Sequence, residues 1–482
     1  MLFNSFDFLI FLPIIFILYW FVFKSIKWQN FFIVIVSYIF YGWWDWRFLF
    51  LIAFTSACSF SSGLLIEHYE SNRIMQRLIS LSNIVTNLLI LGFFKYYNFF
   101  VENLIALLNT FGIRLDSVAL NIILPVGISF YTFQALSYTI DIYQRKITAE
   151  RDIVSFFAYV CFFPQLVAGP IERATSLLPQ FQRKRHFDYS ESVDGCRQML
   201  WGFFKKMVVA DNCAGVVNEY WERFAELPNI TLLLLGVLFT FQIYCDFSGY
   251  SDIAIGCARL FGIRLNRNFN FPYFSRDISD FWRRWHISLM TWFRDYIYIP
   301  LGGNRCAKWK VVRNTMIVFF VSGLWHGANW TFVLWGMYHA CLISVFMMLG
   351  WNNVSNRNLP YSGLLPSLKE IFQISGVFFL VVIGWIIFRA ESVDQAFNYL
   401  IALSSNWFFD SYLIPQNSYL CIVYCVAISI VEWMQRDKQH ALQFSSYRLF
   451  SYRIVRWGVY YFLIYVIARF NGNSQNFIYF QF

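Results

Sequence analysis

Between Asn314 and Asn356 the chain carries no Asp, Glu, Lys or Arg, yet Ser322-Gly323-Leu324-Trp325-His326-Gly327-Ala328-Asn329-Trp330 sets an imidazole, an amide and two glycines inside that apolar stretch. Its 43 residues are enough for two crossing helices and a tight turn, at about 20 residues per crossing. Counting from Arg313 at ~1.5 Å per residue, His326 stands roughly 20 Å in, near the middle of a ~30 Å hydrocarbon core. An ionisable side chain at that depth is a functional candidate by default. The glycines allow a ligand to approach, or the helix to break where it lines a cavity. Two readings of His326 stay open: a catalytic or ligand-binding imidazole, or a packing residue between Gly323 and Gly327 on a small-xxx-small face. His339, thirteen residues on, falls some 220° round a continuous helix at about 100° per residue, which favours a packing role for it.

A second cluster runs from Arg276 to Tyr296. Phe281, Trp285, Leu289, Trp292, Phe293 and Tyr296 recur at helical spacing, while Asp280, Arg283, Arg284, Thr291 and Arg294 lie away from that stripe. The pattern predicts an interfacial or re-entrant helix, with His286 on the boundary between faces and free to enter a cavity or to bond a neighbour. A third cluster, Asp246-Phe247-Ser248-Gly249-Tyr250-Ser251-Asp252, ends an apolar run. Its carboxylates are six apart, on different faces, so they predict helix-locking ion pairs with the basic segment that follows rather than a cooperating acid pair. His68, His186 and His440 read as solvent-exposed. No Walker loop, nucleophile elbow, H-E-x-x-H or C-x-x-C occurs, and no metal site is expected.

Such residues need elements to hold them, and composition says which kind. Of 482 residues 58% are hydrophobic, 22% aromatic and 14% charged. That leaves too few polar side chains to clothe soluble domains, and too many aromatic ones for a disordered chain. Apolar runs at 6–23, 30–44, 48–66, 78–94, 118–140, 153–169, 231–257, 314–349, 371–388, 418–433 and 457–470 predict an all-α polytopic membrane protein with about eleven spans. Amphipathic stretches near 97–111, 196–217 and 276–299 add re-entrant or interfacial helices. The first run has no basic leader or cleavage site and reads as a retained span, and Lys24 and Lys27 after it place the N-terminus outside. With no repeats or linkers, residues 1–482 read as a single membrane domain.

The net charge of +10 also finds its place. Residues 259–313 hold eleven basic and three acidic side chains, and 172–206 hold seven and four. An excess lodged between spans argues for cytoplasmic topology, anionic lipid or a phosphate-bearing donor, and against nucleic acid.

Taken together, the motifs resemble the membrane-bound O-acyltransferase (MBOAT) family, in its bacterial branch of alginate, peptidoglycan and other polysaccharide O-acetylation. The resemblance runs over nearly the full length: Met1–Ser5, Phe162–Ile171, Asp246–Asp252, Asn268–Tyr273, Phe281–Leu289, Pro300–Arg305, Gly323–Trp330 and Phe477–Phe482. It implies a bundle of membrane helices around a tunnel, with His326 as the catalytic residue and His286 at the second polar position. It implies acetyl-CoA from the cytoplasm as donor. It also implies a periplasmic SGNH-hydrolase-type acetyltransferase as partner, which carries the acetyl group on to a polysaccharide acceptor outside the bacterial inner membrane. His326 is then expected as general base, a neutral imidazole taking a proton from the attacking hydroxyl. His286 would orient the acyl group or donate to the oxyanion, with help from Asn329. Arg283, Arg284, Arg294, Arg305 and Lys308 would receive the phosphates of the donor. Within enzymes the alternative is D-alanyl transfer to teichoic acid. Outside them it is a polysaccharide or lipid-linked sugar transporter, whose paired broken segments are not found here.

Overall fold

A computed structural model describes the chain except for residues 115–119, 121, 168, 352–364, 406–414, 416, 445–449, 451, 474, 476 and 479–482. Ala168 and positions 479–482 of two motifs quoted above, and part of the 118–140 run, therefore lie outside the described residues. Every regular element among the described residues is helical, and the chain divides into two compact units. The first comprises Met1–Gly195 with Cys257–Asn266, the second Cys196–Gly256 with Arg267–Phe482.

The first unit contains α1 (Phe6–Ile17), α2 (Ile26–Gly42), α3 (Phe48–His68), α4 (Arg73–Leu91), α5 (Tyr97–Thr110), α6 (Ile128–Tyr143), α7 (Ile153–Cys161), the one-turn α8 (Phe163–Leu166) and α9 (Ala174–Gln182). Helix α4 is inverted relative to a soluble helix. Gln76, Ser80, Asn83 and Asn87 form its buried face, and Ile74, Leu78, Leu81 and Leu89 are exposed. A bilayer explains the inversion, because lipid solvates leucine whereas an amide must find a partner inside. Asn83 finds one, donating to the Thr139 hydroxyl of α6 at 2.6 Å, a bond worth about 0.6 kcal/mol in a membrane. The run expected over 118–140 becomes helical only at Ile128, after Pro125 and a left-handed Gly127 (φ 74°). Gly127 is required there, since a Cβ would stand 2.6 Å from the Leu166 carbonyl. The 153–169 run also breaks, at Phe162, with Pro164 in the first turn of α8. Near the end of the unit, Glu172 accepts from the Asn266 backbone N–H (2.5 Å), the Asn266 amide (2.7 Å) and the Ser176 hydroxyl (3.2 Å), fastening the returning segment.

Helix α10 (Tyr189–Phe203) leads into the second unit, which continues with α11 (Asp211–Tyr220), α12 (Asn229–Leu260, assigned to this unit as far as Gly256), α13 (Ile278–Arg284), α14 (Ile287–Phe293), α15 (Lys308–His326), α16 (Trp330–Met348), α17 (Leu368–Arg389), α18 (Val393–Ser404), α19 (Ser418–Met434) and α20 (Arg453–Phe470). Helix α12 is buried at Leu235, Phe239, Ile243, Phe247 and Tyr250, and its second half also carries the Asp246 and Asp252 carboxylates. Among the described residues five helices are long and apolar enough to cross a membrane: Phe48–His68, Arg73–Thr110, Asn229–Leu260, Trp330–Met348 and Leu368–Arg389. Phe6–Val22 and Ser418–Met434 are shorter apolar helices. The stretch near 97–111 is not a separate amphipathic helix, because a π-helical turn at Gly92–Tyr96 joins α4 and α5 into one 38-residue element.

Candidate functional site

Over its described residues, 314–351, the charge-free stretch folds as a hairpin of α15 and α16. Helix α15 ends on His326, Gly327 is extended (φ −171°), and Asn329 caps α16 by accepting from the Thr331 N–H at 3.0 Å. The glycines make the hairpin tight. A Cβ on Gly323 would lie 2.4 Å from the Phe332 carbonyl, and one on Gly336 would lie 2.2 Å from that of Phe319. The packing reading of Gly323 is thus realised, and it delivers the imidazole rather than competing with it. His326, 3% exposed, stands edge-on to Trp335 at 4.9 Å between ring centroids and to Phe388 of α17 at 5.4 Å. Because the chain reverses after His326, the continuous-helix argument that separated His339 from it does not apply. Both histidines abut Trp335, and His339 packs with Trp282 (4.9 Å) and the backbone of Gly384, whose Cβ would meet its Nε2 at 2.5 Å.

The single helix expected over 276–299 is instead α13, α14 and a π-helical turn, Arg294–Tyr298, and the break falls on His286. Trp285 is extended and His286 left-handed (φ 44°), a conformation costing roughly 1–2 kcal/mol for a non-glycine residue. The Asn268–Phe271 segment holds the break open. Asn270 N–H donates to the Arg284 carbonyl (2.9 Å), and Ile287 N–H donates to that of Asn268 (2.8 Å). His286 is 1% exposed, its Nδ1 3.1 Å from Asn268 Oδ1 and its ring edge-on to Phe247 at 4.7 Å. Trp325 joins the two candidates, with ring centroids 5.0 Å from His326 and 5.9 Å from His286.

The predicted cations separate by geometry. A cavity of about 570 Å³ opens beside α13 and the α15–α16 hairpin, walled by Trp282, Phe319, Ile343 and Met347 and edged by Arg283, Arg294 and Lys308. Its wall residue Trp282 lies 5.5 Å from Trp335, so two rings separate the cavity from His326. Arg284, Arg305 and Asn329 are not among the lining residues. Arg284 pairs with Asp280 at 2.9 Å, Arg305 is exposed, and the Asn329 amide donates to the Glu391 carbonyl at 2.8 Å. Outside the spans, the Asp295 carboxylate beside Arg294 (2.7 Å) raises the basicity of that already cationic guanidinium.

The carboxylates of the third cluster do lock helices, but to the basic stretch that precedes them. Asp246 pairs with Lys206 at 2.7 Å and Asp252 with Lys205 at 2.6 Å; Lys206 also meets Asp211 at 2.8 Å. Gly202 and Gly249 make this possible, each leaving no room for a Cβ against the other's carbonyl (2.6 and 2.8 Å). His440, expected at the surface, is 1% exposed and lines a small polar cavity with Lys205, Ser251, Asp252 and Asn268. Sequence reasoning passed over Asn268 as a partner of His286. The signal was an amide repeated at 268 and 270 just before Pro272, where backbone is turned rather than helical.

Comparison with known proteins identifies the family. Residues 38–352 match a model of the MBOAT, membrane-bound O-acyltransferase family. The chain is 40% identical to a probable alginate O-acetylase of Azotobacter vinelandii over 408 residues, 84% of this chain and 78% of that protein. It is 33% identical to the peptidoglycan O-acetyltransferase of Helicobacter pylori, over 76% of this chain and 72% of the other. It is 29% identical to the teichoic acid D-alanyltransferase of Bacillus subtilis, over 56% and 70%.

Proposed function

The chain is a member of the membrane-bound O-acyltransferase family, a multi-pass membrane enzyme, and we propose that it moves acetyl groups from cytoplasmic acetyl-CoA across the bacterial inner membrane for O-acetylation of an extracytoplasmic polysaccharide. The observation carrying this reading is the pair of buried imidazoles, His326 and His286, that share the Trp325 ring. A thioester is already activated, so the protein must mainly accept a proton and stabilise an oxyanion. His326 takes the proton of the attacking hydroxyl as oxygen bonds to the acetyl carbonyl carbon. The tetrahedral intermediate then expels the thiolate, which receives that proton. Arg283, Arg294 and Lys308 edge an apolar cavity, a chemistry suited to the phosphates of an anionic donor. The attacking hydroxyl is the serine of a periplasmic SGNH-type partner, which passes the ester to the polysaccharide.

Acetyl transfer is favoured over D-alanyl transfer because the alginate O-acetylase likeness covers far more of the chain at higher identity. Purified protein in vesicles, supplied with labelled acetyl-CoA and the partner, should place label on the partner's serine. Label arriving only from a D-alanyl carrier, or movement of sugar without acyl transfer, would overturn the reading.

A further inference from the structure

Asn268 makes contacts that fix the chemistry of His286. Its Oδ1 accepts from the Ser288 backbone N–H (3.3 Å) and the Ser288 hydroxyl (2.9 Å), while its Nδ2 donates to the Ser251 hydroxyl (3.3 Å). A backbone N–H can only donate, so the atom facing Ser288 is the amide oxygen, and the amide cannot be turned over without setting two donors against each other. The same oxygen lies 3.1 Å from His286 Nδ1. An oxygen acceptor requires a proton on Nδ1, and in a neutral imidazole that leaves the lone pair on Nε2. The ring stands among Phe247, Phe269 and Trp325, surroundings that favour the neutral form. One further bond holds Asn268 itself: the Ile287 N–H donates to its carbonyl at 2.8 Å.

We propose that Asn268 is a positioning residue that locks His286 as the Nδ1–H tautomer, so that His286 serves acyl transfer through Nε2 as a hydrogen-bond acceptor and not as a donor to the oxyanion. This rests on the reading of the site as an acyltransferase centre, and of the two roles expected for His286 from sequence it keeps orientation and excludes donation to the oxyanion. Stabilisation of the oxyanion then belongs to other groups, and His286 receives a hydrogen bond from the hydroxyl or from a group that orients it.

The test is nitrogen NMR on the full-length protein in lipid nanodiscs with ¹⁵N-labelled histidine, the His286 signals being those lost in His286→Asn. Wild-type protein should show Nδ1 as an N–H nitrogen and Nε2 as an imine nitrogen. Asn268→Ala should mix the tautomers and lower acetyl transfer by roughly ten- to a hundredfold, taking the scale seen when the hydrogen-bond partner orienting a metal-ligating histidine is removed. Asn268→Asp, which keeps the acceptor, should retain the tautomer and shift the acidic limb of the pH–activity profile upward, because a carboxylate favours the charged ring. A proton on Nε2 in the wild type, or an unchanged tautomer in Asn268→Ala, would overturn the proposal. Should Asn268→Ala fail to fold, the wild-type spectrum alone still decides. The spectrum needs no acetyl donor, so loss of the acyltransferase reading and loss of the tautomer assignment are separate outcomes.

Discussion

At the scale of single residues, the site works by placing titratable groups where bulk water does not reach. His326 was legible because a histidine in 43 residues without a charge has few ordinary explanations. Asn268 was not legible, since its importance lies in which atom of a distant ring it faces. Lys205 and Lys206 were counted with the topological charge, yet both are buried, at 3% and 1% exposure, in ion pairs across two helices. The exposed cations behave differently. Arg294 and Lys308 stand at the cavity edge, so Arg294→Glu and Lys308→Glu should raise KM for acetyl-CoA several-fold while leaving kcat near the wild-type value. Steady-state kinetics at two salt concentrations checks this, because the effect of an exposed charge falls as salt rises. A drop in kcat with KM unchanged would remove these residues from donor binding.

At the scale of elements, two breaks do the positioning. The break after His326 was half visible, in Gly327 and the capping Asn329. The break at His286 was invisible, since Arg284-Trp285-His286-Ile287 contains neither glycine nor proline and the apolar stripe runs through it at helical spacing. Tertiary pairing with Asn268–Phe271 overrides that local preference. The α15–α16 hairpin depends on contact distance rather than charge. Gly323→Ala would press a methyl group into the Phe332 carbonyl, and overpacking of this kind costs about 1–3 kcal/mol. Thermal unfolding in detergent should therefore show a lowered Tm, with acetyl transfer lost in proportion as His326 shifts from Trp335. An unchanged Tm would mean that the two helices can separate freely.

At the scale of the whole molecule, composition announced a membrane protein, and the inverted face of α4 shows why: its amides point inward and its leucines outward. Spans were harder to delimit, because Pro125, Gly127 and Pro164 interrupt runs that hydropathy alone reads as continuous. Stability carries a pH signature outside the spans. Burial pushes the Glu172 carboxyl up to about 7, against the hydrogen bonds from Asn266 and Ser176 that pull it down. A raised carboxyl favours folding most fully below its ordinary value near 4.5, and that contribution is lost as pH rises through about 7. The Tm of the wild type should fall between pH 5 and 8 more steeply than that of Glu172→Gln; equal slopes would contradict this. Whether His326 carries out acyl transfer is read from acetyl ester on the cell's surface polysaccharide in a His326→Ala strain whose protein is confirmed to insert. With His326 as the base the ester should be lost; ester at wild-type levels would remove His326 from the reaction.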